Sequence, residues 1–147
     1  MKREALTQEQ IKIILSKGKT IAVVGLSRDK KKQSHRVSKY MQMHGYRIIP
    51  INPFADEVLG EKSFKSLLEL PEELQKEVDI VDVFRKAEDV LPVARQAVKL
   101  KKKHGSPHVL WMQLEIVNEQ AAKAARKAGM IVVMDKCLML EHKRLFK

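Results

Sequence analysis

A glycine, two hydroxyls and a run of cations fall close together in this chain: Gly25, Ser27 and Ser34, with Arg28, Lys30, Lys31, Lys32 and Arg36 interspersed. Glycine lets backbone amides approach a ligand closely, hydroxyls supply short hydrogen bonds, and Lys and Arg neutralise charge. Together they suit phosphate or a similar anion. The other reactive group is a thiol. Cys137 is the chain's single cysteine, which excludes an internal disulfide and a multi-cysteine zinc site but leaves thiol exchange open. Lys136 precedes it, and Glu141 and His142 follow, yet nothing in the sequence brings that imidazole to the sulfur. His104 and His108 are four apart, but Gly105, Ser106 and Pro107 interrupt the helical spacing that a paired metal site needs.

These groups act only if the chain holds them at one place, and its apolar pattern says how. Thr7 and Gln10 form a capping-box pattern ahead of Ile11, Ile14 and Leu15, predicting a first helix that ends near Gly18. Five short apolar runs read as strands: Ile21–Val24, Arg47–Ile51, Val78–Phe84, His108–Met112 and Ile131–Met134. Between them, helical spacing predicts helices from Ser34 to Gly45, around Phe64 to Leu70, from Glu88 to Lys103 with Pro92 in the first turn, and from Glu119 to Ala128 behind an Asn118 cap. Strands that alternate with helices and are apolar on both faces specify α/β architecture: a Rossmann-like, doubly wound parallel five-stranded sheet with helices on both faces. One domain over 1–147 is expected, with strand order 3-2-1-4-5 and a crevice beside strand one.

In such a sheet ligands meet the carboxyl ends of the strands. Those positions are Gly25, Leu26 and Ser27 after strand one, then Asn52 and Pro53 after strand two. Phe84 and Arg85 follow strand three, Met112 and Gln113 strand four, and Asp135 to Cys137 strand five. The three-glycine dinucleotide fingerprint is absent, strand two ends without an acid for ribose, and no Walker loop occurs. A ligand with several phosphates and no need of a carboxylate at its ribose fits what remains. Each residue also has an ordinary reading: the lysine run as a solvated face, Asn52-Pro53 as a strand terminator, Phe84 and Trp111 as core, and Cys137 as a small buried hydrophobe.

Composition narrows the field further. No apolar run approaches a membrane span, and the Met1 to Glu4 start lacks a signal-peptide core, so a cytoplasmic protein without membrane contact is the expectation. The 147 residues carry a net charge of +11, which invites an anionic partner. Nucleic acid is disfavoured because aromatics are only 5% of the chain and the basic residues are dispersed, although it stays as an alternative.

The segments TIAVVGLS (20–27), SHRV (34–37), YRIIPINP (46–53), VDIVDVFR (78–85), LWMQLEIVNEQAA (110–122) and VVMDKC (132–137), taken in order, resemble the stand-alone coenzyme A-binding domain family, which is similar to the amino-terminal domain of the succinyl-CoA synthetase alpha subunit. The resemblance implies that coenzyme A or an acyl-CoA is the partner. Gly25, Leu26 and Ser27 would donate to the pyrophosphate, while the loop cations Arg28 and Lys32 are candidate cofactor contacts on their charge. Ser34, Arg36 and Val37 would present a helix amino-terminus and a cation to phosphate. Asn52 and Pro53 would border the nucleotide, and Phe84 and Arg85 would wall the adenine side. Met112 and Gln113 belong to the fourth-strand motif with Trp111, Gln113 facing the pantetheine arm, and Cys137 stands where the family pattern also has cysteine. The loop Arg28–Gln33 has more lysine and less proline than its relatives, and His35 replaces a common tyrosine. No general acid–base pair or second substrate domain is visible, so the reading leans to a non-catalytic CoA-binding module, with a mixed disulfide between Cys137 and CoA as a further expectation. The alternatives are a CoA-dependent transferase or ligase component, or a CoA thiol–disulfide exchanger. A homo-oligomer is compatible with all of these.

Overall fold

The computed structural model describes residues 6–147, so the Met1 to Glu4 start lies outside the described residues. Thr7 opens the first element as its sequence predicts. Its hydroxyl accepts from Gln10 N while the Gln10 side chain accepts from Thr7 N, closing a capping box on α1 (Gln8–Lys17), which ends at Gly18. The chain then runs through β1 (Thr20–Val24), α2 (Gln33–Met43) and β2 (Arg47–Ile51). A hairpin follows, β3 (Glu57–Val58) with β4 (Glu61–Lys62), then a 3-10 turn at Leu67–Glu69 and α3 (Glu72–Gln75). The remainder alternates regularly: β5 (Ile80–Val83), α4 (Val90–His104), β6 (Val109–Met112), α5 (Glu119–Lys127), β7 (Ile131–Val133) and α6 (Leu138–Leu145). Asn118 caps α5, accepting from Ala121 N, and Pro92 sits in the first turn of α4.

All five long strands are parallel, in the order β2-β1-β5-β6-β7. The expected order 3-2-1-4-5 is therefore corrected to 2-1-3-4-5: the third long strand joins the free side of β1 instead of lying outside β2. Pro50 supplies the physical reason. It lies in β2 with its backbone turned outward, where its carbonyl accepts from Phe64 N, and a proline has no N–H to extend a ladder on that side. Phe64 bridges to Ile51 and accepts from Asn52 N, strapping the margin that a further strand would have used.

Because side chains alternate across a strand, each strand feeds two cores. Ala22, Val24, Ile49, Ile51, Val81, Val83, Leu110 and Met112 pack with residues of α4 and α5 on one face. Ile21, Val23, Ile48, Ile80, Val109 and Trp111 pack with residues of α1, α2 and α6 on the other. Three pieces differ from expectation. The helix expected around Phe64 to Leu70 is a 3-10 turn followed, after Pro71, by the four-residue α3, and both the β3–β4 hairpin and α6 are additional.

Candidate functional site

The loop from Gly25 to α2 is a lattice of its own hydrogen bonds. Ser34 Oγ accepts from Ser27 N at 3.0 Å, Ser27 Oγ accepts from Asp29 N at 3.0 Å, and Asp29 Oδ1 accepts from Lys31 N at 2.9 Å. No side chain caps the amino end of α2, whose cap position is Lys32. The first turn of that helix therefore retains its partial positive charge beside exposed Arg28, Lys30, Lys31, Lys32 and Arg36. Arg36 reaches back to Gln33, Nη2 donating to Oε1 at 2.7 Å. Leu26 and Val37 are fully buried in the α1/α2/α6 core, so their side chains are closed to the crevice. His35 is also buried, and burial, aided by Lys39 and Lys30, holds its imidazole below the usual value and thus favours the neutral form.

Gly25 joins this loop to the neighbouring strand. Its φ is +90°, and a Cβ placed on it would stand 2.3 Å from the Phe84 carbonyl oxygen, so only glycine fits without displacement of backbone. Since β5 pairs with β1, Phe84 and Arg85 flank this turn at the switch point, and Phe84 N donates to Val24 O at 2.8 Å. Asn52 closes the opposite lip. Its Nδ2 donates to Leu26 O at 2.9 Å and its Oδ1 accepts from Phe54 N at 2.8 Å, tying the Pro53-Phe54 turn to the glycine loop. The Phe54 ring is 83% exposed there.

Beyond β6, Met112 is fully buried and its side chain belongs to the α4/α5 core. Gln113 keeps 2% of its surface open, and its Nε2 donates to Asp82 Oδ1 at 2.7 Å. Asp82 was missed by the sequence reading, where it passed as part of an apolar strand. It is wholly buried in β5, and burial pushes its carboxyl up to about 8 against the opposing Gln113 hydrogen bond, so it is held protonated at neutral pH. A second feature missed is backbone strain. Glu115 and Asp135 both have positive φ, 68° and 59°, and Asp135 Oδ1 accepts from Glu115 N, coupling the loops after β6 and β7.

Cys137 occupies the cap position of α6, 3% exposed, within the α1/α2/α6 core. Lys136 beside it is held by its backbone, its carbonyl accepting from the Trp111 indole N–H at 2.7 Å. Trp111 itself is fully buried and is core. His142 packs instead among Tyr40, His44, Tyr46 and Phe146, with Nδ1 hydrogen-bonded to Tyr40 OH at 2.8 Å. His104 bonds to Gln75, and no cluster of three metal-ligating side chains occurs among the described residues. A cleft of about 210 Å³ between α1 and the strands' amino ends, lined in part by Ile13, Ile131 and His108, lies at the edge of the sheet opposite the crevice.

The loops after β1, β2, β5, β6 and β7 thus converge on one edge, with a phosphate-sized, cation-rimmed loop at its centre. No described helix is long and apolar enough to cross a membrane. Comparison with known proteins matches this arrangement. The uncharacterized protein YneT of Bacillus subtilis (strain 168) is 41% identical over 136 residues, covering 92% of this chain and 94% of that protein. A solved structure of a hypothetical protein from Pyrococcus horikoshii OT3 superposes with a TM-score of 0.87 at 36% identity, covering 100% of this chain and 99% of the other. An ADP-forming acetate–CoA ligase of Methanocaldococcus jannaschii is 31% identical over 67 residues, 46% of this chain but 10% of the ligase. The pattern of the CoA binding domain matches residues 19–143, and the chain therefore belongs to the CoA-binding domain family.

Proposed function

We propose that the chain binds coenzyme A, free or acylated, as a non-catalytic module, with the phosphates at the Gly25–Arg36 loop and the rest of the ligand along the carboxyl edge of the sheet. The observation that carries this reading is the uncapped amino end of α2 facing a Gly25 turn that tolerates no side chain, beside exposed cations. In this reading Ser27, Ser34, Arg28, Lys32 and Arg36 hold phosphate, Asn52 and Pro53 border the nucleotide, and Phe84, Arg85 and Gln113 line the path of the arm. The segment shared with the acetate–CoA ligase is a tenth of that enzyme, so its reaction is not carried across.

Cys137 gives the reading a redox variant: its thiolate could displace one CoA from CoA disulfide, leaving a protein–CoA mixed disulfide and releasing free CoA thiolate. The burial of the sulfur favours the non-covalent form. Native and denaturing mass spectra with added CoA and, separately, with added CoA disulfide distinguish the two. A one-CoA adduct lost on denaturation is expected, and an adduct that survives denaturation and disappears with reductant would establish the disulfide. In the Lys32→Ala/Arg36→Ala double variant both changes are on exposed side chains, so the fold should persist while the Kd for CoA rises at least about tenfold. Undiminished binding in that variant would remove the loop from the site.

A further inference from the structure

Asp82 is a buried ionisable group beside the crevice that the reading above leaves without a task. Its carboxyl is wholly inaccessible, one oxygen accepts from Gln113 Nε2 at 2.7 Å, and the other, Oδ2, has no hydrogen-bond partner. A buried polar atom left unpaired costs free energy, and an apolar residue would fill a β-strand position at less cost. The neighbours across the ladder, Val23 on β1 and Trp111 on β6, are such residues. Burial, Gln113 and the Val83 backbone are the influences on its proton, with no charged side chain among them.

Its position shows what that cost accomplishes. Asp82 lies in β5, the strand beside β1 at the switch point, and Gln113 follows β6 one strand further on. Adjacent strands are about 4.8 Å apart, so Gln113 stands roughly 10 Å along the sheet edge from the β1 turn. Phosphates seated at Gly25–Ser34 are beyond its reach, and only an arm extending along the edge meets it. A free glutamine carboxamide rotates and offers either donor or acceptor. With Nε2 committed to Asp82, the oxygen is the atom left to accept.

We propose that Asp82 is a positioning residue that acts through Gln113, fixing its carboxamide so that the crevice offers an acceptor to an N–H of the ligand's uncharged arm. This rests on the CoA-binding reading and deepens it, because the pantetheine arm carries two amide N–H groups. It also assigns the two parts of the site different duties: the loop selects phosphate, and the Asp82–Gln113 pair selects an amide-bearing extension.

The test compares two ligands across two variants. Adenosine 3′,5′-bisphosphate carries phosphate without the arm, whereas coenzyme A has both. Asp82→Ala frees Gln113 and should raise the Kd for coenzyme A about tenfold while leaving that for the bisphosphate within about twofold. Asp82→Asn retains an oxygen that accepts from Gln113 Nε2 and should restore coenzyme A binding to near the wild-type value. Equal losses for both ligands, no loss for either, or an Asn variant as poor as the Ala variant would overturn the proposal and leave Asp82 a purely structural residue. Should Asp82→Ala fail to melt cooperatively, Gln113→Leu carries the same ligand comparison with the same expected split. A wild-type protein that binds neither ligand overturns the CoA reading and this inference together. One that binds coenzyme A without the variant split overturns only the inference.

Discussion

The two faces of the sheet are built from the same five strands, one residue out of step, and yet they are chemically unlike. The α4/α5 face holds Val, Ile, Leu, Ala and Met and, among the described residues, no buried titratable group. The α1/α2/α6 face holds Trp111, Tyr46 and Cys137, with Asp82 in the same strand register as Ile80 and with His142 on α6. An aliphatic core is stabilised by volume and area alone and is indifferent to pH. A core with polar members must satisfy each one, so its stability depends on particular partners and on protonation. The loop that forms the proposed phosphate site leads directly into α2, on the polar-bearing face. The face that supports the proposed ligand site is thus the one whose packing can be tuned.

Adjacent residues of β6 offer the sharpest way to break this comparison. Trp111→Ala and Leu110→Ala each empty a fully buried position, on opposite faces. Truncations of this kind cost about 3–5 and 2–5 kcal/mol respectively. The Trp111 change should be the larger and should also loosen the Lys136 backbone it holds, read as faster amide exchange in the loop after β7. The Leu110 change should leave that loop unaltered. Equal loop exchange in both variants would mean that the faces are not mechanically distinct.

Titration sharpens the contrast next. Asp82 is raised from an ordinary 3.8 to about 8 in the fold by burial, so the native state keeps a proton that the unfolded chain releases. Its contribution is intact below the unfolded value and is lost as pH rises through about 8, by at most about 1.4 kcal/mol per pH unit across that window. Asp82→Asn should flatten this part of the stability–pH profile, measured by urea denaturation between pH 4 and pH 9. An unchanged slope would relocate the titrating group.

His142 should act with opposite sign and smaller size. Burial, with His44 and Lys19, depresses its folded value below the usual 6.5. The unfolded chain therefore takes up a proton first, and stability declines as pH falls below about 6.5. His142→Phe keeps a ring among Tyr40, Tyr46 and Phe146 and should remove that acid decline. A decline that persists in the variant would assign it to another group, His35 being the next to examine.

Much of the scaffold was legible because its signals are local. Continuous apolar runs marked the strands, Thr7 and Asn118 marked helix starts, and Gly25 marked the turn at the crevice. What escaped depends on distant partners. Asp82 looked like a polar interruption in VDIVDVF, and its burial becomes intelligible only with Gln113, 31 residues on. Strand order was misread although Pro50 marks β2 as an edge strand, since a proline's tolerance is visible only once the direction of its backbone groups is known. The hairpin strands of two residues are too short for any periodic pattern, and in α6 the apolar run Leu138 to Leu140 is followed by the polar run Glu141 to Arg144, which masks a helical period. The resemblance that named the family was carried by motifs at strand ends, on the edge of the sheet where the proposed ligand would lie.

The strap over β2 has a consequence for the protein at high concentration. An open strand edge is a template on which another chain can add by main-chain pairing, the first step toward aggregates. Here Pro50 withdraws a donor from that edge, and Phe64 occupies its carbonyl and the Asn52 N–H. Growth from this side is refused by a missing donor and by main-chain groups already paired rather than by surface charge, so added salt would not restore it. At the other margin β7 is three residues long, a short stretch on which to seed a stack.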